Sequence, residues 1–252
     1  MNVLKTAFNK VSPVTIGNAL ERERLFALFG GEWPVTSYWI SGPGGSGKTT
    51  LVASYIKKTK IPSAWYQVDA LDADPATFFY YFSQSLSLIS DNPEPLPLFT
   101  PEHLPNIDTF ALRYFEQAFQ NLAPNTWIII DNFQDAPAGS ALEKILALAV
   151  RQVPSHITLA IISRNNPPPA MTRFLVNRAM ALIHWNHLSF TRAELRDFLI
   201  HSGQSTVTSE LVDHLHQFTQ GWIAGVILWM LNQGKKEDLD CVPTDRTRES
   251  VF

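Results

Sequence analysis

Residues Gly42-Pro43-Gly44-Gly45-Ser46-Gly47-Lys48-Thr49 have the spacing G-x-x-x-x-G-K-[ST]. That order suits one chemistry above others, the holding of a polyphosphate. Glycines let successive backbone N–H groups turn toward an anion at the start of a helix. Lys48 then reaches the β- and γ-phosphates, and the Thr49 hydroxyl is placed to ligate Mg²⁺. Thr50, next in the same helical turn, joins the expected nucleotide-contacting set. The chain has only 12 glycines in 252 residues, so a chance match in a strand-to-helix context has odds on the order of one in a hundred or less.

A phosphate loop of this kind needs a carboxylate at the end of a neighbouring apolar strand to hold the metal. Trp127-Ile128-Ile129-Ile130-Asp131 supplies one, which makes Thr49 and Asp131 the expected metal residues. Asn132 follows where many ATPases place a second acid. An amide can orient a water, but it is a poor proton acceptor. Asp135 could take that role only if the loop turned back. Arg164 closes a further apolar run at the same sheet edge. Position alone allows two readings of it, a γ-phosphate sensor with bidentate geometry or a solvated arginine after a strand. No guanine-reading N-K-x-D motif is present, so adenine is the default base by elimination.

These groups need a parallel sheet to bring them together. The pattern predicts strands at Ser37–Ser41, Ala64–Asp69, Thr126–Asp131, Ile157–Ser163 and Met180–Trp185, alternating with amphipathic helical stretches. Unbroken runs such as Ile128-Ile129-Ile130 suit strands covered on both faces. Ser140-x-x-Glu143 and Thr191-x-x-Glu194 read as capping boxes. After Trp185 only helical patterns remain, near 191–203, Ser209–Phe218 and Trp222–Asn232. The proline-rich Asp91–Pro105 reads as a loop outside the core. The expected architecture is a P-loop NTPase with a five-stranded, mainly parallel sheet over residues 1–187, a small helical domain over 188–234, and a linker over 235–252.

Composition narrows the function classes. The net charge is −3, with 45% hydrophobic and 17% charged residues, the profile of a globular protein that does not hold nucleic acid by charge alone. The longest apolar run, Gly221 to Leu231, is too short to span a membrane, and the N-terminus has no secretory h-region. Cys241 is the single cysteine, so no internal disulfide or cysteine-based zinc site exists. The expected compartment is the cytoplasm. His184-x-x-His187 lacks a third ligand and reads as a pair of surface or interface histidines.

Further stretches carry a family likeness. They are Ala64-Trp65-Tyr66-Gln67-Val68-Asp69 with Asp72, Asp74-Pro75 and Phe78; Ile161-Ile162-Ser163-Arg164 with Pro167-Pro168; Leu188-Ser189-Phe190 with Glu194; and Thr219-Gln220-Gly221-Trp222 with Gly225. In this order around a phosphate loop, from about Pro13 onward, they resemble the MalT-like branch of the STAND ATPases, regulatory P-loop proteins that include many LuxR-type transcriptional activators. The resemblance implies that Arg164 senses the γ-phosphate. It also implies that Ile16-Gly17 and Arg22 lie against adenine, and that Trp222 lines the nucleotide pocket. Asp69, Asp72 and Asp74 match the family text, but their residue types suggest no chemistry beyond solvated loop acids. Two departures, Asn132 for the family's second acid and Gln134 for its histidine, imply slow hydrolysis.

The function so implied is an ATP/ADP-binding, Mg²⁺-dependent switch. ADP would hold a closed form, and ATP with an inducer would open it for self-association. Inducer and DNA would be bound by domains outside this chain, which reads as a piece of a longer transcriptional regulator. Two other classes compete. A small-molecule kinase would need an arginine-rich lid, and the Asp91–Pro105 segment contains no arginine. A nucleic-acid motor would need a basic aromatic groove.

Overall fold

The computed structural model describes residues 10–17, 19–30, 35–90 and 95–233; the expected linker and Cys241 lie outside these. After the short helix α1 (Glu23–Phe26), the chain alternates β1 (Ser37–Ser41), α2 (Lys48–Thr59), β2 (Ser63–Gln67), α3 (Pro75–Ser87), α4 (Ile107–Gln120), β3 (Thr126–Asp131), α5 (Ala141–Gln152), β4 (Ile157–Ser163), α6 (Pro169–Val176) and β5 (Met180–Ile183). A single turn, α7 (Trp185–Leu188), leads to α8 (Arg192–His201), α9 (Ser209–Thr219) and α10 (Ile223–Gln233).

All strand pairings are parallel, in the order β2-β3-β4-β1-β5. The two faces separate by strict alternation, as pleating requires. Ile128, Ile130, Leu159 and Ile161 pack under α3 to α6, while Trp127, Ile129, Ala160 and Ile162 pack under α1 and α2. Burial on both faces is why these strands read as continuous apolar runs. A third cluster, including Phe190, Leu195, Leu199, Leu215 and Val226, forms the interior of the helical segment. Among the described residues, no helix is long and apolar enough to cross a membrane.

Several expectations need correction. The second strand starts and stops earlier than expected, because Asp69 caps the 3₁₀ turn Ala70–Ala73 by accepting from Leu71 N–H. The fifth strand stops at Ile183, because His184 caps α7. In that turn the Nδ1 atoms of His184 and His187 accept the N–H groups of Asn186 and His184, so both rings are spent on backbone rather than poised as ligands. Thr191 and Glu194 form the expected reciprocal box, whereas the Ser140 hydroxyl makes no cap bond and is buried without a partner. The loop before α4 does reach the core: Phe99 stacks on Phe79 and meets Phe110 edge-on. Prolines forbid regular hydrogen bonding there, but they do not prevent an aromatic side chain from being buried.

Of the three acids after β2, Asp72 is not a solvated loop acid, while Asp69 is half-buried and Asp74 exposed. Asp72 is 1% exposed and accepts from the Tyr66 hydroxyl at 2.6 Å, from Asp69 N–H at 2.9 Å and from the Lys10 ammonium at 2.9 Å. Asp69 pairs with the same ammonium at 2.7 Å, and Asp74 caps α3. Lys10 therefore pins the N-terminal segment beside the β2 edge of the sheet.

Candidate functional site

The phosphate loop joins β1 to α2. Gly45 and Gly47 take positive φ values of 66° and 83°, which a side chain would resist. Because α2 begins at Lys48, its first N–H groups lack intrahelical partners and face the loop's concavity. The Lys48 ammonium donates to Gly42 C=O at 2.7 Å and Pro43 C=O at 2.9 Å, and lies 3.4 Å from the Ser46 hydroxyl. Burial pulls its pKa down to about 8, helped by Arg164 and opposed by Asp131.

Thr49, one residue on, donates its hydroxyl to both Asp131 oxygens, at 3.2 and 3.1 Å. Asp131 also accepts Asn132 N–H at 2.8 Å. Burial pushes its carboxyl above the usual range, against those two bonds and the charge of Lys48. Two hard oxygen donors thus converge from separate elements beside a buried anion short of cationic compensation. That set fits Mg²⁺, which takes one or two protein oxygens and keeps its remaining waters. Gly44, Lys48, Thr49, Asp131, Asn132, Gln134 and Arg164 line one cleft.

The helical segment closes over the outer side of the loop. Trp222 Nε1 donates to Gly44 C=O at 2.8 Å, and Ala224 N–H donates to Gly45 C=O at 3.2 Å. Both glycines around this tryptophan have a reason. Gly221 has φ +77°, and a Cβ there would lie 2.5 Å from the carbonyl oxygen of Phe190, whose N–H bonds back to Gly221 C=O. A Cβ at Gly225 would lie 2.8 Å from Cε3 of Trp222. We predict that Gly225→Ala displaces the indole from Gly44, costs about 1–3 kcal/mol by overpacking, and raises hydrogen exchange in α10. Unchanged exchange would mean the indole contact does not hold this helix.

Where the helical segment meets the sheet, Arg22 is 6% exposed and lies 4.0 Å over the Phe190 ring. It donates to Leu188 C=O at 2.7 Å, to Ser189 C=O at 3.1 Å and to both Glu194 oxygens. Arg24 donates to His187 C=O and to Glu194. Burial alone would raise the Glu194 carboxyl, but the two arginines and Thr191 N–H outweigh it and bring it to about 2. A folded pKa below the unfolded one stabilises fully above the ordinary carboxylate range and is lost as pH falls through about 2. Glu194→Gln should therefore cost about 2 kcal/mol at neutral pH, with the gap to wild type closing between about pH 4.5 and 2. A gap independent of pH would sink this assignment.

No protein-family model matches the chain. It is similar to the HTH-type transcriptional regulator MalT of Vibrio cholerae serotype O1, 23% identical over 213 residues, covering 83% of this chain and 23% of that protein. Against the MalT of Serratia proteamaculans it is 26% identical over 229 residues, covering 87% and 24%. The chain thus spans about a quarter of the length of these relatives. Among solved structures, the Walker-type ATPase paby2304 of Pyrococcus abyssi aligns with a TM-score of 0.51 at 12% identity, over 85% of this chain and 67% of that one. That likeness shows the fold. The chain is thus MalT-like in sequence over this region and P-loop ATPase-like in fold.

In this MalT-like chain the expected residues Lys48, Thr49, Asp131, Asn132 and Arg164 gather at one cleft with Gly44 and Gly45, whereas Gly42 and Gly47 do not line it. Ser46 is buried beneath the loop, and Pro43 and Thr50 are exposed on either side of it. Ile16 packs among the residues over α2, Arg22 is committed to the clasp with Glu194, and Trp222 sits on the outer face of the loop. None of these three lines the cleft. Gln134, singled out in the sequence only as a departure bearing on hydrolysis, also lines the cleft. The signal was present, since it occupies the position where the family favours histidine.

Proposed function

We propose that this chain is the nucleotide-binding switch of a STAND-type regulatory ATPase, holding ATP or ADP with Mg²⁺ and hydrolysing slowly. The observation that carries the reading is the convergence of Lys48, Thr49 and Asp131 on one cleft beneath a glycine loop that opens a helix. Lys48 and the loop N–H groups would take the polyphosphate. Thr49 and Asp131 would hold Mg²⁺, which supplies charge neutralisation at the phosphates when bound. Asn132 would orient a water but cannot take its proton, Asp131 is committed to the metal in this reading, and Asp135 is not among the described residues that line the cleft.

We read a nucleotide-binding part to about residue 187 and a helical part to about 234, a division supported by the separate hydrophobic cluster of the helical segment. Trp222 and Ala224, bonded to the loop carbonyls, would let the helical part respond to what the loop holds. Because the relatives are HTH-type transcriptional regulators of several times this length, inducer and DNA recognition and ATP-dependent self-association belong to the longer protein, in the cytoplasm. The test is nucleotide content and turnover of the purified chain. Retained ADP, EDTA-sensitive ATP binding and turnover far below the ~1–10³ s⁻¹ of ordinary enzymes are expected, with a measurable rise in Asn132→Asp. Rapid turnover on a small acceptor would favour a kinase and overturn the switch reading.

A further inference from the structure

Between the ends of β3 and β4 lies a crosslink that the phosphate and metal chemistry does not use. Asn132 takes a left-handed φ of 58°, and Phe133–Asp135 then forms a 3₁₀ turn that brings Gln134 back over the strand ends. The Gln134 amide meets two elements at once. Its Oε1 accepts Arg164 N–H at 3.0 Å, while its Nε2 lies 3.5 Å from Asn132 Oδ1 and 3.3 Å from Asp135 Oδ1. The orientation of the amide is fixed by chemistry. Arg164 N–H can only donate, so the atom facing it must be the oxygen, and the NH₂ must face Asn132 and Asp135.

This arrangement has two consequences. The backbone of Arg164, the first residue after β4, is held at a defined height above the cleft. The Asn132 oxygen faces a donor, so the group Asn132 offers the cleft is its own NH₂. An NH₂ binds the oxygen of a phosphate or of a water; it does not draw a proton away. The residues that would meet a third phosphate are therefore tied to each other by one side chain that itself lines the cleft.

We infer that Gln134 is the positioning residue that couples Arg164 to Asn132, so that together they distinguish a nucleoside triphosphate from a diphosphate. The inference rests on the proposed nucleotide-binding function of the same cleft. Gln134 touches neither Lys48 nor Asp131 through any hydrogen bond among the described residues, so the loop and metal contacts to a diphosphate do not depend on it.

The test compares Mg-ADP with a non-hydrolysable ATP analogue by calorimetry, on the full 252-residue chain and on Gln134→Met and Gln134→Glu. Methionine keeps the length and removes all three hydrogen bonds. It should weaken the ATP analogue about tenfold, the size of one hydrogen bond to a charged group, and leave ADP affinity and melting temperature unchanged. Glutamate keeps the acceptor for Arg164 N–H but places a negative charge toward the third phosphate, so the ATP analogue should weaken further and ADP should not. Arg164→Ala combined with Gln134→Met should cost less than the sum of the two single losses, because both act through one contact.

Equal weakening of both nucleotides in Gln134→Met would overturn the inference, as would additive behaviour of the pair. If the unaltered chain binds neither nucleotide, the functional reading itself fails, and the inference with it. Normal ADP binding with no change in analogue affinity would instead remove only the inference.

Discussion

Replacing Lys48 by methionine should lower the affinity for Mg-ADP and Mg-ATP by roughly 30-fold or more. Its ammonium lies against the Gly42 and Pro43 carbonyls, and burial lowers its pKa to about 8. A bound polyphosphate would give this cation the opposite charge it lacks. Removing one partner from a buried, hydrogen-bonded charge pair costs on the order of 2–5 kcal/mol, or roughly 30- to several-thousand-fold in affinity. The fold itself should not suffer. A lowered pKa means the folded state disfavours the charge, so an apolar side chain of similar length should melt at the same temperature or higher. Calorimetry and thermal unfolding on the same variant check both halves. Undiminished affinity would remove the phosphate loop from the account, and a large loss of stability would mean Lys48 is a structural residue instead.

The second large effect lies far from the cleft. Lys10→Met should destabilise the chain by about 3–5 kcal/mol, because it strands Asp72 as a buried charge with only the Tyr66 hydroxyl and Asp69 N–H for company. Against a typical total of about 5–15 kcal/mol, that is a large share of the stability. Asp72→Asn in the same chain should recover most of the loss, since an amide carries no charge: its oxygen can take the place of Oδ2 for Asp69 N–H, while its NH₂ donates to the Tyr66 oxygen. Urea unfolding of the single and double variants decides the matter. A single-variant loss below about 1 kcal/mol, or no recovery in the double, would show that the ion pair contributes little.

What could be read beforehand follows from the range of the interactions involved. Strands β1, β3 and β4 were legible to the residue, because burial on both faces leaves continuous apolar text. The ends of β2 and β5 were not, since each is set by a side-chain cap, one of them an unusual histidine pair. The phosphate loop and Asp131 were legible because their chemistry demands particular residue types at particular spacing. Asp72 was misread for the opposite reason: its partner is 62 positions away, and nothing local distinguishes a buried acid from a solvated one. The Gly221-Trp222 signature was visible as text. Its cause, a backbone approach to Phe190 and room for an indole beside Gly225, belongs to the assembled fold. Likewise, Gln134 could be flagged from its position, but its bond to Arg164 depends on how two strand ends meet.

The helical segment is gripped at two separated places, by the arginines on Glu194 and the carbonyls at 187–189, and by Trp222 and Ala224 on the loop. The two grips differ in strength. The first combines charge, several hydrogen bonds and a ring face, while the second is a pair of neutral hydrogen bonds. In the proposed switch, a body attached so unequally would open like a door, with the stronger attachment as the hinge post and the weaker as the catch. The lever arm would then be α10, whose exposed Ile227, Leu228 and Leu231 continue past the catch.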